Sequence, residues 1–182
     1  PAEGDHPPKH TLWEKPFGYA DYRALCKRHG LKSIQVFNIL QDSPEKSARR
    51  LAGLLRDGMR PMAIELGNEN DCKGQQSPEI QTPEAYLEKA KRVVAALKEV
   101  DPTIRCAVNT GHERITEYHW AKALLKEHFY DAVVIHPYAF QGMKPPSGVT
   151  PFLAAGMLNA YARLGQYFED YRALFGKTPL WV

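Results

Sequence analysis

Short apolar runs alternate with amphipathic segments along this chain, and the order repeats four times. That is the signature of β-α units, and it narrows the fold to a parallel sheet with helical crossovers. The runs span 33–39, 62–66, 104–108, 132–135 and 180–182. Helix signals separate them. Ser43 can cap a helix with Pro44 at its first position, and Ala48, Leu51, Ala52 and Leu55 follow at helical spacing until Gly58. Thr82-Pro83 repeats the start signal and opens a helix with Tyr86, Ala90, Val93, Val94 and Leu97 on one face, ending before Asp101-Pro102. Thr116 opens another, with Trp120, Leu124, Leu125 and His128 facing inward, and Thr150-Pro151 opens a long one running toward Gly176. Ahead of the first strand, Tyr19, Tyr22, Leu25, Cys26 and His29 form a stripe that Gly30 terminates.

Strands this uniformly apolar are expected to be covered on both faces, which leaves a doubly wound sheet or a barrel. A doubly wound nucleotide-binding fold would carry a glycine-rich turn after its first strand, and Asn38-Ile39-Leu40-Gln41-Asp42 has no glycine. The expectation is therefore an α/β fold, a partial (β/α)8 TIM barrel covering roughly strand 3 to strand 7. Five strands do not close a barrel of eight. Residues 1–182 accordingly read as an incomplete (β/α)8 catalytic domain that lacks the first strands and the end of the barrel.

Composition removes several classes of function. With 24 basic and 21 acidic residues spread along the helices, there is no concentrated basic stripe for nucleic acid. No run of about 18 apolar residues indicates a membrane span, and the polar, Pro-rich segment 1–10 is not a signal peptide. Cys26, Cys72 and Cys106 are odd in number and widely spaced, which suggests neither a disulfide framework nor a zinc site. Cys26 and Cys106 read as small buried hydrophobes, and Cys72 as the exposed one. No cofactor is expected.

Polar residues gather where the apolar runs stop. Asn38 follows the first run, Asn68 and Glu69 the second, Asn109 the third, and His136 and Tyr138 the fourth. In parallel α/β folds the C-terminal strand ends are where ligands bind. Each residue also has a plainer reading. Asn38 could cap its strand end, Asn109 could be a turn residue before Gly111, His136 a satisfied core histidine, Tyr138 a loop anchor, and 68–71 a polar loop. Their coincidence on one rim says more than any member does.

The motifs Glu65-Leu66-Gly67-Asn68-Glu69, His136-Pro137-Tyr138 and Thr178-Pro179-Leu180-Trp181-Val182 resemble the retaining glycoside hydrolases of the (β/α)8 clan. That clan carries its acid/base on strand 4 and its nucleophile on strand 7. The form of the strand-4 motif is similar to that of α-L-arabinofuranosidases, β-xylosidases and β-glucuronidase or heparanase-like enzymes. The resemblance implies Glu69 as general acid/base and Asn68 as the partner of the sugar 2-hydroxyl. It puts His136 and Tyr138 in the reacting-sugar subsite, with Asn38 and Asn109 as further candidate contacts. Protonating a glycosidic oxygen needs a carboxylic acid whose pKa is raised by its surroundings. Glu65, on the parity of Glu69 but deeper, reads as a buried structural carboxylate paired with an Arg or a hydroxyl. Trp13, Tyr138 and Phe140 offer faces for sugar stacking or simply pack.

The family's nucleophilic Glu lies just past the strand-7 run, beyond Val182. Retaining hydrolysis needs two carboxyl groups about 5 to 5.5 Å apart, so the resemblance implies that this stretch alone does not complete the double displacement. The expected partner is a carbohydrate, with no nucleic acid and no membrane. Oligomeric state and compartment stay open, with a lean toward an extracellular setting. Two other readings stand beside this one. One is a non-catalytic carbohydrate-binding barrel. The other is a hard-cation site at Asn68, Glu69, Asn70 and Asp71, whose spacing lacks the alternation of a calcium loop.

Overall fold

The structure, a computed structural model, describes residues 17–110, 119–137 and 150–182. Five strands and five α-helices alternate: α1 (Tyr19–His29), β1 (Ile34–Phe37), α2 (Pro44–Arg56), β2 (Ala63–Leu66), α3 (Pro83–Val100), β3 (Cys106–Asn109), α4 (His119–Leu124), β4 (Ala132–Val134), α5 (Thr150–Phe175) and β5 (Leu180–Trp181). All four neighbouring pairs are parallel, and the strands lie in the order β1-β2-β3-β4-β5. A doubly wound sheet reverses its strand order at a switch point. An unbroken sequential order winds one way only, as in a barrel. The fold is α/β, part of a (β/α)8 barrel.

The helix starts follow from local chemistry. Ser43 Oγ accepts from Lys46 N at 3.2 Å and Thr82 Oγ1 from Ala85 N at 3.2 Å, each with proline at the first helical position. Gly30, Gly58 and Gly176 end their helices in the left-handed region. The face of α3 is as expected, with Tyr86, Ala90, Val93, Val94 and Leu97 all buried. That of α2 is rotated slightly, since Ser47, Leu51 and Leu54 are buried and Ala48, Ala52 and Leu55 only partly so. α4 departs more. It stops at Leu124, where Leu125 N and Lys126 N bond back only three residues, to Lys122 O and Ala123 O. Leu125 and His128 are therefore exposed rather than inward, and Tyr130, whose hydroxyl donates to Leu124 O at 3.0 Å, fills the core. The expected opening of α4 at Thr116 lies outside the described residues.

Strand register divides the sheet into two unlike faces. Phe37, Ile64, Leu66, Cys106, Val108, Val133 and Ile135 pack against the helices in the main core. The opposite face carries Ile34, Val36, Ala63, Glu65, Ala107, Asn109, Ala132, Val134 and Trp181. Its small residues suit the concave inner side of a barrel, where strands crowd. Coverage of β1 on both faces, expected from its apolar run, is not found: Ile34 is 42% and Val36 52% exposed. Both belong to the inner face. Cys26 and Cys106 are buried and Cys72 is partly exposed, all as free thiols.

Candidate functional site

The β2 strand ends in a backbone built to project one carboxyl group. Gly67 takes φ +88 and its N–H donates to Phe37 O at 3.0 Å, which holds the turn against β1. A Cβ at Gly67 would lie 2.0 Å from Asn70 Oδ1 and 2.8 Å from Ile39 Cγ2, so the position needs glycine for space as well as for φ. Two residues later Glu69 sits at φ +49, the sole non-glycine at positive φ among the described residues. Such a backbone is strained by about 1 kcal/mol or more and persists where its surroundings fix it. Here the fixing is visible. Asn70, 1% exposed, donates from Nδ2 to Gln75 O at 3.2 Å. Gln76 Nε2 donates to Asn70 O at 3.2 Å and to Asp71 O at 3.3 Å, and Cys72 N to Glu69 O at 2.9 Å. The loop is a closed clasp with Glu69 at its crest.

Glu69 meets His136, just past the end of β4. Oε1 of Glu69 is 3.2 Å from His136 Nδ1, and on the other side of the ring Nε2 is 3.6 Å from Glu65 Oε1. All three side chains are mostly buried, at 18% (Glu69), 20% (His136) and 13% (Glu65) exposure. Glu65 was expected to pair with an Arg or a hydroxyl; it faces an imidazole instead. Burial pushes the Glu65 carboxyl above the ordinary range, and the neighbouring His136 pulls it part of the way back. Burial, with Asp71 and Glu69 nearby, likewise raises the Cys72 thiol, which keeps it protonated and unreactive.

The other candidates divide. Asn109 comes off the end of β3 on the inner face, 1% exposed, and neither Oδ1 nor Nδ2 has a hydrogen-bond partner among the described residues. A buried carboxamide left in this state is normally destabilising by about 1–3 kcal/mol. Asn68 stands exposed beside Glu69. Asn38 is exposed too, but its carboxamide closes its own turn: Oδ1 accepts from Leu40 N at 3.1 Å and Gln41 N at 3.3 Å. Tyr138, Trp13 and Phe140 lie outside the described residues. Within those residues no three His, Cys, Asp or Glu side chains cluster as a metal site, and no helix is long and apolar enough to cross a membrane.

Sequence reasoning missed two supports of this rim. One is Asn70, read as a polar loop residue or as one oxygen donor of a hard-cation site. The other is Tyr86, read as a core position of α3. Its fully buried hydroxyl donates to Leu66 O at 2.7 Å and accepts from Asn109 N at 2.8 Å, splinting the ends of β2 and β3. Burial raises this phenol strongly, so it stays a neutral donor. A tyrosine where leucine would fill the helix face was the available signal, because a buried hydroxyl demands partners.

No known sequence family and no curated protein matches the chain. Among solved structures it superimposes on AbfB, a family 51 α-L-arabinofuranosidase from Bifidobacterium longum, with a TM-score of 0.62 and 16% sequence identity. The match covers 90% of this chain and 37% of that one. A likeness at this identity is one of fold, and the chain spans little more than a third of the length of the protein it resembles.

Proposed function

We propose that this chain is part of a retaining glycoside hydrolase that cleaves O-glycosidic bonds of polysaccharides or oligosaccharides by double displacement. Glu69 is its general acid/base. The observation that carries the reading is the strained, clasped backbone of Glu69, which holds one carboxyl group against His136 at the C-terminal rim of a parallel barrel sheet. The fold likeness to an α-L-arabinofuranosidase supports it. On this reading Asn68 bonds the sugar 2-hydroxyl, and His136, Tyr138 and Asn109 line the reacting-sugar subsite. The nucleophile is then a Glu outside residues 1–182, and the parallel pairing of β5 with β4 is compatible with its standing on the same rim. In the first step Glu69 gives its proton to the departing glycosidic oxygen while that Glu attacks the anomeric carbon. In the second, ionised Glu69 takes a proton from the water that releases the sugar.

The test is Glu69→Gln in the natural full-length protein, assayed on a series of aryl glycosides of graded leaving-group acidity. For poor leaving groups kcat/KM should fall by about 10²–10⁴-fold, the range general acid catalysis supplies, and for activated ones much less. Equal losses across the series would remove the acid role. Sugar binding without turnover by the unmodified protein would select a non-catalytic carbohydrate-binding barrel instead.

A further inference from the structure

His136 touches both carboxylates of β2 and its loop, and it does so through different ring nitrogens. A neutral imidazole has one N–H and one lone pair, so the partner at one nitrogen dictates what the other nitrogen offers. Glu65 Oε1 is buried and has no hydrogen-bond partner among the described residues, and Nε2 of His136 stands 3.6 Å from it. We infer that Glu65 is a positioning residue for Glu69, acting through His136: its carboxylate holds the imidazole as the Nε2–H tautomer, so that Nδ1 turns its lone pair toward a protonated Glu69. This rests on the acid role proposed for Glu69.

Two proton arrangements are available to the three groups, and they contain the same two protons. In one, Glu69 Oε1–H donates to Nδ1 and Nε2–H faces ionised Glu65. In the other, Glu65 carries the proton, Nδ1–H donates to Glu69, and Glu69 is the anion. The first is the acid form needed to protonate a leaving group; in the second Glu69 has no proton to give, so it is the idle alternative that must be disfavoured. The negative charge of Glu65 selects the first while substrate is intact. It does so by fixing the tautomer and also by simple repulsion, since a nearby anion makes Glu69 release its proton at higher pH. Once Glu69 has given its proton to the leaving oxygen, the three groups hold one proton, on His136, and ionised Glu69 takes its next proton from the attacking water.

The other titratable groups around this bridge, among the described residues, are Tyr86 of α3, whose phenol is raised and neutral, and Asp71 and Cys72 in the loop beyond Glu69. Asn109 of β3 adds no charge. The effect of Glu65 on the tautomer of His136 is therefore read by comparing Glu65→Gln with the unmodified protein.

The experiment is nuclear magnetic resonance of the full-length protein with ¹⁵N-histidine and ¹³Cδ-glutamate, followed by pH profiles of kcat/KM on an aryl glycoside. In the unmodified protein, neutral His136 should show a protonated Nε2 and a bare Nδ1. In Glu65→Gln that preference should be lost, and the Glu69 titration and the alkaline limb of kcat/KM should both move down by about one pH unit, the lower end of what a neighbouring charge produces. In a His136→Gln background, Glu65→Gln should move the Glu69 titration much less. A bare Nε2 in the unmodified protein, an unmoved Glu69 titration in Glu65→Gln, or an equal shift with and without His136 would each overturn the relay. The resonance measurements need no turnover. A failed leaving-group test would therefore remove the hydrolase reading and leave the tautomer result standing, whereas an unmoved alkaline limb in an enzyme that passes that test would remove the relay alone.

Discussion

The two ends of the sheet both carry polar and charged residues and treat them oppositely. At the N-terminal end, charged groups are tied to several partners each. Arg60 Nη2 donates to Asp101 Oδ2 and Thr103 Oγ1, both at 2.6 Å, and Asp101 Oδ1 accepts from Thr103 N at 3.0 Å. Asp131 Oδ2 accepts from Cys106 N at 2.9 Å and from Lys98 Nζ at 3.3 Å, closing the entry to β3. At the C-terminal end, Glu65 and Glu69 share one imidazole, the buried carboxamide of Asn109 has no hydrogen-bond partner among the described residues, and Glu69 stands in a strained backbone. One end is arranged for stability. The other keeps a buried carboxamide and a buried carboxylate oxygen without a hydrogen-bond partner among the described residues, at the end where parallel barrels bind ligands.

The largest break in that contrast should come from Gly67→Ala. The added Cβ meets buried Asn70 and Ile39 in a backbone at φ +88, so the clasp under Glu69 must shift. A loss of about 3 kcal/mol is expected from combined strain and displaced packing. Gly30→Ala is the control, since Gly30 also has positive φ but nothing lies within 4 Å of its Cβ position. It should lose only about 1 kcal/mol, the left-handed penalty alone. Urea unfolding of both variants measures the difference, and equal losses would mean that Asn70 does not brace the turn.

The N-terminal end is probed by Asp131→Ala. Removing this carboxylate leaves the N–H of fully buried Cys106 without its acceptor, so a loss of about 2 kcal/mol is expected. The rim geometry should persist, with the His136 resonances unchanged. If the His136 signals move as far as they do in Gly67→Ala, the two ends are coupled and the contrast between them fails.

The fold was readable because its determinants are local. Ser43-Pro44, Thr82-Pro83 and the glycines at 30, 58 and 176 mark helix ends within a few residues, and short apolar runs mark strands. Readings that depended on what lies across from a residue did less well. Leu125 and His128 continued the helical spacing on paper, but the chain turns away after Leu124 to seat Tyr130. The apolar run at β1 suggested two covered faces, and alternation along a strand does not reveal whether anything lies opposite. The site divides in the same way. Glu69 and His136 could be picked out because they end apolar runs. The pairing of Glu65 with His136 depends on the shared inner face of β2 and β4, two strands that do not touch each other in the sheet. Asn70 and Tyr86 support the rim through buried hydrogen bonds that residue type alone hinted at.

The smallest effect sharpens the comparison most, because the two ends should answer pH with opposite signs. Glu65 has its folded-state pKa raised, chiefly by burial, from an ordinary value near 4.5. Below that value both folded and unfolded chains carry the proton and there is no penalty. As pH rises through it the unfolded chain ionises first, so stability declines until the folded value is passed and then stays lower. Glu65→Gln keeps the shape and removes the titration, so its stability relative to the unmodified protein should be greatest near neutrality and should shrink as pH falls below about 4.5. Asp101, at the other end, is lowered from 3.8, first by its bond from Thr103, which burial opposes, and then by Arg60. Its contribution is present above 3.8 and is lost as pH falls through the folded value, so Asp101→Asn should be the less stable protein near neutrality, with the gap closing only in stronger acid. Urea midpoints from pH 3 to 7 for the two variants should therefore diverge in opposite directions from the unmodified protein as pH rises. Curves of the same sign would mean that Glu65 is held as tightly as Asp101, and that the C-terminal rim is one more stabilising end rather than a site kept ready for a proton.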